Sequence, residues 1–382
     1  MNTELPVPDA AARAASDALC SEIRALIERN DGFLPFADYM HHVLYAPHNG
    51  YYSGGSHKIG SGGDFVTAPQ LTPLFGQTLA RQFADILPQT AGNLYEFGAG
   101  TGALAADIIG ALPPECWDTY YIVEVSPDLR ARQQALLAQK HPQLAARVRY
   151  LDRLPETFDG IIFGNEVLDA MPCERVEWRN DGLYRLGVEH SAHGLTWGAR
   201  PAPPTLCEWA ARLPPLPVGY RSELHPQQEA FVRTLAGKLQ RGAMLWIDYG
   251  FDENEYYHPQ RHMGTLIGHY RHHTVDDPFF LPGLVDWTAH VNFSGIAAAA
   301  CDAGLDFIGY TTQGSFLVQA GITAALEAVG TPEGETYIRA AAACQKLLAT
   351  HEMGELFKVI AFGMNIDPDW SGFRGADLSA KL

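Results

Sequence analysis

The sequence predicts an α/β fold built around a mostly parallel β-sheet. From about residue 75, short apolar segments of strand length alternate with segments of helical periodicity, which is the pattern of successive β-α units. A glycine-rich turn at 98–102 follows one of these strands and leads into a helix. The 382 residues, of which 47% are hydrophobic, suffice for a large core and for a second region beside it.

Two helices and a loop are expected before the sheet begins. Apolar residues recur at helical spacing in 19–27 and again in 35–44, and the first helix should stop at the Asn-Asp-Gly of 30–32. Six glycines lie between residues 50 and 63. That is too many for a regular element, so we expect a flexible loop that closes over a ligand.

The strands of the sheet are identified by short apolar runs between the helices. They are expected at 94–97, 120–125, 148–151, 160–163, 244–247 and 356–362, the last one after a helix that contains 340–348. Because strands and helices alternate, most of these strands should run parallel.

A different pattern interrupts the sheet after its fourth strand. Hairpin-like strands with turns at 180–182 and 193–194 are followed by a proline-rich stretch at 201–217. We therefore predict two domains. A helical cap with a covering loop occupies 1–75, and a ligand-binding sheet domain occupies 76–382, with insertions at about 174–220 and 251–293.

The chain is acidic, with 27 Lys and Arg against 44 Asp and Glu and a formal net charge of -17. This charge repels a phosphate backbone, so nucleic acid is not expected as a partner, and a basic or neutral substrate fits better. The same acidity also serves solubility.

The six cysteines lie far apart without a CxxC pair, so neither a disulfide framework nor a zinc knuckle is expected. The sequence shows no secretion signal and no apolar run of bilayer length. We therefore expect a cytoplasmic protein without a membrane partner.

A ligand-binding loop is predicted where a strand ending in Glu96 runs into Gly98, Ala99, Gly100 and Gly102. Bare backbone at the N-terminus of the following helix suits a ligand with hydroxyls or negative charge. A phosphate-binding P-loop is excluded because no Lys-Ser or Lys-Thr follows the glycines. The spacing also satisfies the dinucleotide template, so nicotinamide or flavin binding remains the alternative.

Three acids favour S-adenosyl-L-methionine over a dinucleotide. Glu96 stands just before the glycines, where a carboxylate is poorly placed beside a pyrophosphate but suits an ammonium or a sulfonium. Glu124 ends the next strand and can accept both ribose hydroxyls, although dinucleotide enzymes share this acid. Asp152 follows the third strand, where a methyltransferase commonly holds the adenine amino group. A methyltransferase is therefore the leading prediction, and a nicotinamide oxidoreductase is its rival.

The reacting side is predicted after the fourth strand, where Asn165, Glu166 and Asp169 lie at the carboxyl edge of the sheet. Open α/β sheets bind their ligands at this edge. Asn165 is placed next to the cofactor, while Glu166 and Asp169 would pair with a guanidinium and hold one nitrogen in line for methyl transfer. The alternative is that Asn165 caps the next helix and the two acids form its first turn.

Histidines are frequent between residues 258 and 290. No HExxH motif and no regular Cys/His grid is present, so we predict no metal. His290 is a candidate general base, and a structural hydrogen bond to Asp286 or Thr288 is the alternative.

With these residues in view, the chain resembles the MidA-type methyltransferase family, whose mitochondrial members include complex I assembly factor 7, a protein arginine methyltransferase. The resemblance runs nearly end to end. Its motifs lie at 44–45, 50–52, 63–69, 75–76, 96–102, 164–172, 248–250, 264–266, 286–291 and 356–358.

The resemblance implies a class I methyltransferase fold, which is a Rossmann-like seven-stranded mixed sheet with an antiparallel last strand, an N-terminal helical cap and an inserted substrate region. It also implies that Thr67 and Pro69 lie near the methionine part of the cofactor. Two residues depart from the family pattern: Gln70 and Asn292 stand where the family usually has acids.

The function implied by the resemblance is methyl transfer to arginine side chains of a protein partner. Two alternatives stay open: an O- or N-methyltransferase of small molecules, and a non-catalytic assembly factor that retains cofactor binding. Acids at the reacting edge favour catalysis, because a scaffold does not need them.

Overall fold

The computed structural model describes residues 5–54 and 66–382. The glycine-rich segment 55–65, part of the predicted covering loop, lies outside the described residues. The described chain divides into two compact units. The larger unit comprises Val66–Leu168, Ala230–Asp252 and Val291–Leu382, and the smaller unit comprises residues 5–54, Asp169–Glu229 and Glu253–His290.

The strands are numbered in chain order. They are β1 Leu34–Pro35, β2 Asn93–Phe97, β3 Tyr120–Val123, β4 Val148–Tyr150, β5 Phe158–Asn165, β6 Glu174–Arg179, β7 Gly182–Ser191, β8 Gly194–Pro201, β9 Arg221–Leu224, β10 Leu239–Phe251, β11 Ile267–Tyr270, β12 His273–Val275, β13 Asp286–Thr288, β14 Val291–Asn292, β15 Asp306–Thr312 and β16 Phe357–Met364.

The α-helices are numbered in the same way. They are α1 Ala10–Arg29, α2 Phe36–Tyr45, α3 Ala68–Leu71, α4 Pro73–Ile86, α5 Ala103–Ala111, α6 Pro127–Lys140, α7 Pro204–Ala210, α8 Pro226–Ala236, α9 Glu253–Tyr256, α10 Phe293–Asp302, α11 Gln313–Gln319, α12 Ile322–Glu327, α13 Glu335–Leu348 and α14 Met353–Leu356.

The larger unit is built on a mixed sheet with the strand order β15-β16-β10-β5-β2-β3-β4, and the two-residue β14 pairs beside β10. The pairs among β10, β5, β2, β3 and β4 are parallel, whereas β16 runs antiparallel to both of its neighbours. The predicted α/β fold with an antiparallel last strand is confirmed. Buried aliphatic and aromatic residues of the sheet and of α4 and α5 form the core of this unit.

The smaller unit contains two antiparallel sheets. One has the order β1-β7-β6-β9 with β8 on β7, and the other has the order β12-β11-β13. Apolar faces of α1 and α2, including Leu19, Ile23 and Met40, pack with Val188 and Trp287 into its core. Both predicted hairpin turns, at 180–182 and 193–194, connect strands of the first sheet.

In the described part of the chain, no helix is long and apolar enough to cross a membrane.

Candidate active site

Polar groups lie in or just after the carboxyl-terminal parts of the five parallel strands in the larger unit's sheet. Phe97 of β2 is level with Val123 of β3 and with Gly164 of β5. The next residues, Gly98, Glu124 and Asn165, therefore lie side by side where three adjacent strands end. Asp152 follows β4, and Asp248 lies in β10 next to Ile247, the partner of Asn165. This edge is where open α/β sheets bind their ligands.

The glycine loop turns through left-handed backbone at three positions, with φ of 64° at Gly98, 53° at Gly100 and 82° at Gly102. A side chain rarely adopts such φ values, which explains the glycines. The backbone N–H of Gly98 donates to the carbonyl of Val123 at 3.1 Å, which ties the loop to β3. Ala99 is 7% exposed and belongs to the core. The loop thus presents bare backbone at the start of α5.

Glu96 is buried directly below the loop, with 2% of its surface exposed. Its Oε2 accepts a hydrogen bond from the Tyr120 hydroxyl at 2.8 Å. Burial raises the pKa of Glu96 to about 8; the Tyr120 hydrogen bond lowers it and the charge of Glu124 raises it further. A cationic group placed beside this carboxyl would lower its pKa and favour the ionised form, so Glu96 can pair with a cation.

Glu124 is also buried, and burial raises its pKa although hydrogen bonds oppose the shift. Its Oε1 accepts from the backbone N–H of Ser126 at 2.9 Å, and its Oε2 accepts from the side-chain amide of Gln133 at 3.2 Å. The carboxylate is therefore fixed in place with lone pairs left over. The contact of Glu124 to ribose hydroxyls stays a prediction.

Gln133 is a site residue that sequence reasoning missed. Its amide nitrogen also donates to the carbonyl of Gly100 at 2.8 Å, so one fully buried side chain joins the glycine loop to Glu124. Its Oε1 is buried and has no hydrogen-bond partner among the described residues. The helical periodicity of the sequence could have revealed it, because Gln133 lies on the buried face of α6 with Leu129 and Leu137 at intervals of four residues.

Asp152 lies further out, with 83% of its side chain exposed and an ion pair to Arg130 at 2.6 Å. Arg130 also donates to the carbonyls of Glu124 and Leu151 and so connects the ends of β3 and β4. The role of Asp152 in holding an adenine amino group stays a prediction.

Glu166 stands directly after β5 in a strained backbone conformation, with φ of 54°. Non-glycine residues in this region cluster at functional sites, where the surrounding structure must hold them. The side-chain amide of Asn165 donates to Glu166 Oε1 at 2.8 Å, and the backbone N–H of Glu166 donates to the carbonyl of Ile247 at 2.9 Å. Asn165 Oδ1 is buried without a hydrogen-bond partner among the described residues.

Asp248 holds the turn that contains Glu166. Its Oδ2 accepts hydrogen bonds from the backbone N–H groups of Val167 at 3.2 Å and Leu168 at 3.0 Å. Charge-assisted bonds of this kind are stronger than neutral ones. The buried acid therefore stabilises the strained turn and presents Glu166 at the edge of the sheet.

Thr67 and Pro69 lie at the start of the short helix α3. Thr67 and Gln70 form a capping box, in which each side chain binds the backbone N–H of the other residue. Gln serves this purpose as well as Glu does. Gln70, one of the two departures from the family pattern, thus has a structural role here.

Asn292, the other departure, is buried and caps α10 through Oδ1, which accepts from the N–H of Gly295 at 3.4 Å. An Asp at this position makes the same cap.

Asp169 and His290 belong to the smaller unit. Asp169 is 4% exposed, and its carbonyl accepts from the N–H of Ala289 at 3.1 Å. The backbone N–H of His290 donates to the Thr265 hydroxyl at 3.0 Å, and that hydroxyl bonds Tyr256 at 2.9 Å. The catalytic roles of both residues stay predictions.

The chemistry of the larger unit's edge fits S-adenosyl-L-methionine. Glu96 suits a cation, Glu124 suits vicinal hydroxyls, and Asn165 Oδ1 offers a buried acceptor without a partner among the described residues. A Cβ added at Gly100 would meet no described protein atom within 4 Å, so the backbone is open to a ligand there. In the described residues no group of three or more His, Cys, Asp or Glu side chains could hold a metal ion.

Comparison with known proteins identifies the family. Residues 78–311 match the family described as "Putative S-adenosyl-L-methionine-dependent methyltransferase". The chain belongs to this methyltransferase family. Its cofactor is therefore S-adenosyl-L-methionine, which supplies an electrophilic methyl group, and the nicotinamide alternative is set aside.

Solved structures of a Burkholderia thailandensis protein are similar over nearly the whole chain. A Burkholderia thailandensis protein, crystallised with S-adenosyl-homocysteine bound, is 48% identical to this methyltransferase, with a TM-score of 0.95 and coverage of 99% of this chain and 100% of its own.

Named relatives are more distant. The mitochondrial protein arginine methyltransferase NDUFAF7 homologue of Drosophila melanogaster is 27% identical over 93% of this methyltransferase and 87% of its own length. The NDUFAF7 protein of Danio rerio, named in the same way, is 26% identical over 86% of this chain and 82% of its own. The resemblance inferred from the sequence motifs is thus confirmed.

Proposed function

We propose that this methyltransferase transfers its methyl group to arginine side chains of a protein partner. The observation that carries the proposal is the Glu166 carboxylate, which stands in strained backbone at the carboxyl end of β5 and is oriented by the Asn165 amide. The names of the relatives at 26–27% identity support arginine as the acceptor.

Electrostatics explain why an arginine acceptor requires an acid. A guanidinium remains protonated in proteins, and it must approach the sulfonium of the cofactor. Two positive charges about 4 Å apart repel each other by roughly 4 kcal/mol at an effective dielectric constant of 20. A carboxylate that pairs with the guanidinium offsets this repulsion and orients one nitrogen toward the methyl group. A neutral small-molecule acceptor has no such requirement.

The charge of the whole chain supports a basic partner. A formal net charge of -17 attracts arginine-containing polypeptides and accelerates their encounter with the protein at low ionic strength.

Substitution of Glu166 by Gln tests the role of its carboxylate. Glu166→Gln keeps the size of the side chain and removes its charge, so kcat with a protein acceptor should fall at least about 100-fold while the Kd for S-adenosyl-homocysteine changes less than about twofold. Glu156→Gln is the matched control, since Glu156 is an exposed acid of the same unit. Unchanged turnover of Glu166→Gln would exclude this carboxylate from the reaction.

A methylation assay with fractionated lysate distinguishes a protein acceptor from a small-molecule acceptor. The purified protein is incubated with methyl-labelled S-adenosyl-L-methionine and with either the macromolecular or the small-molecule fraction of a lysate that lacks its own copy of this enzyme. The label should enter the macromolecular fraction and resist nuclease. Transfer only into the small-molecule fraction would refute the proposal in favour of a metabolite methyltransferase.

A further inference from the structure

A cluster of two buried acids, a buried threonine and two half-buried tyrosines lies within the smaller unit. Its members are Tyr45, Tyr52, Asp169, Asp286 and Thr288. The acids are 4% exposed at Asp169 and 1% at Asp286, and Thr288 is 2% exposed. The Tyr52 hydroxyl donates to Asp286 Oδ1 at 2.8 Å, and the rings of Tyr45 and Tyr52 stack with their centroids 5.5 Å apart.

Backbone contacts and charge effects show that the two acids belong to one cluster. The carbonyl of Asp169 accepts from the N–H of Ala289, which follows Thr288, and the Tyr45 hydroxyl donates to the carbonyl of Ala170 at 2.9 Å. Burial raises the pKa of the Tyr52 hydroxyl well above its usual value, and the charges of Asp286 and Asp169 raise it further. The phenol therefore keeps its proton, and Tyr52 acts as a donor to Asp286.

Thr288 gives an independent indication of a ligand. Side chains two residues apart in a strand point to the same face, so Thr288 shares the face of β13 that carries Asp286, while Trp287 points the other way. Thr288 Oγ1 is buried and has no hydrogen-bond partner among the described residues. Buried hydroxyls are almost always bonded, and this one finds no partner among the described residues on the face where the acids lie.

We infer that this cluster binds a guanidinium of the arginine-containing partner, with Asp169, Asp286 and Thr288 Oγ1 accepting its N–H groups and the tyrosine rings packing against it. The choice of arginine rests on the proposed function. A guanidinium is planar and carries five divergent donors, and it packs well against aromatic rings. An ammonium has three donors around one point and no flat face, so the spread of acceptors and the stacked tyrosines favour arginine over lysine.

Binding measurements on the S-adenosyl-homocysteine-saturated protein test the inference. The probes are three short peptides that differ only in a central arginine, citrulline or lysine. Citrulline keeps the planar shape without the charge. The wild-type protein should bind the arginine peptide at least about tenfold more tightly than either of the others, since charge-assisted hydrogen bonds are lost with both.

Two variants and a matched control localise the effect. Asp286→Asn should weaken binding of the arginine peptide by at least about tenfold and should have little effect on binding of the citrulline peptide. Thr288→Val should weaken binding of the arginine peptide by about threefold to tenfold. Asp276→Asn, an exposed acid of the same unit, should bind the arginine peptide like the wild type. Thr288→Val is nearly isosteric and removes no side-chain hydrogen bond to a described residue, so it decides the outcome even if Asp286→Asn does not fold.

The outcomes separate this inference from the proposed function. Arginine methylation by the wild type, together with Asp286→Asn and Thr288→Val proteins that keep wild-type affinity for the arginine peptide, overturns the guanidinium site alone. A wild-type protein that methylates lysine or a metabolite and shows no preference for the arginine peptide overturns both.

Discussion

At the residue scale, Glu96 carries a stability cost at a position where we predict cofactor binding. Its carboxyl is buried below the glycine loop, and burial raises its pKa to about 8. Such acids are common where a protein prepares a site for a charged ligand rather than for its own stability.

Because the pKa of Glu96 is raised, the stability of Glu96→Gln relative to the wild type should increase as pH rises. Between pH 4.5 and about pH 8 the folded protein keeps the proton that the unfolded chain has lost. The free energy of unfolding therefore falls as pH rises, by at most about 1.4 kcal/mol per pH unit from this group. Gln does not titrate. In denaturant unfolding, the free energy of unfolding of Glu96→Gln should therefore increase relative to that of the wild type from pH 5 to pH 8.

The same substitution should weaken S-adenosyl-L-methionine binding at pH 8, because the ionised carboxylate is lost. Glu115→Gln, an exposed acid of the same unit, should follow the wild type in both measurements. Parallel stability curves for Glu96→Gln and the wild type would show that the Glu96 carboxyl titrates normally.

Substitution of Gln133 should lower the affinity for the cofactor, although this side chain takes no direct part in methyl transfer. Gln133→Leu removes the two hydrogen bonds that hold Gly100 and Glu124, so the Kd for S-adenosyl-homocysteine should rise about fivefold to thirtyfold, as expected for about 1 to 2 kcal/mol. Calorimetric titration measures this directly. Gln134→Leu is the control, since Gln134 is the exposed neighbour on the same helix, and equal Kd values for the two variants would contradict the positioning role.

At the element scale, alanine substitutions in the glycine loop distinguish the cost of backbone strain from the loss of ligand contact. Gly100→Ala and Gly102→Ala both place a side chain in left-handed backbone, which costs about 1 to 2 kcal/mol. At Gly102 the new Cβ would also meet Gln133 atoms at 3.1 to 3.3 Å, whereas at Gly100 it meets no described protein atom within 4 Å. Gly102→Ala should therefore be the less stable protein in thermal unfolding, and Gly100→Ala should lose S-adenosyl-homocysteine affinity by more than its stability loss explains.

Gly304→Ala provides the comparison for strain alone. Gly304 has φ of 96° and open space around an added Cβ, and it belongs to the same unit. Its substitution should cost similar stability and leave the Kd for S-adenosyl-homocysteine unchanged. If Gly100→Ala binds the ligand as Gly304→Ala does, the ligand does not approach Gly100.

Helices and strands with strong apolar patterns could be predicted from the sequence. Side-chain hydrogen bonds between residues far apart in the chain could not. The strand after the first insertion was expected at 244–247 but spans Leu239–Phe251. The prediction began too late because Gln240, Arg241 and Gly242 interrupt the apolar run. The cluster at Glu124 depends on a glutamine nine residues away along the chain. The ion pair of Asp152 likewise depends on Arg130, on a preceding helix, and neither partner is visible in a strand-end motif.

At the scale of the whole molecule, the sequence identified the sheet, the family and the cofactor, whereas the acceptor remained a proposal. Sheet order and cofactor loop follow from local patterns that recur in this fold class. The acceptor depends on few side chains, which the fold does not dictate.

The identity of the methylated residue tests the central claim most directly. Wild-type protein and Glu166→Gln are incubated with methyl-labelled S-adenosyl-L-methionine and the macromolecular fraction of a lysate that lacks the enzyme, and the labelled protein is hydrolysed to amino acids. The account predicts label in methylated arginine with the wild type and at least about 100-fold less with Glu166→Gln. Label in methylated lysine or histidine, label released as methanol from a carboxyl methyl ester, or equal arginine labelling by both proteins would contradict it.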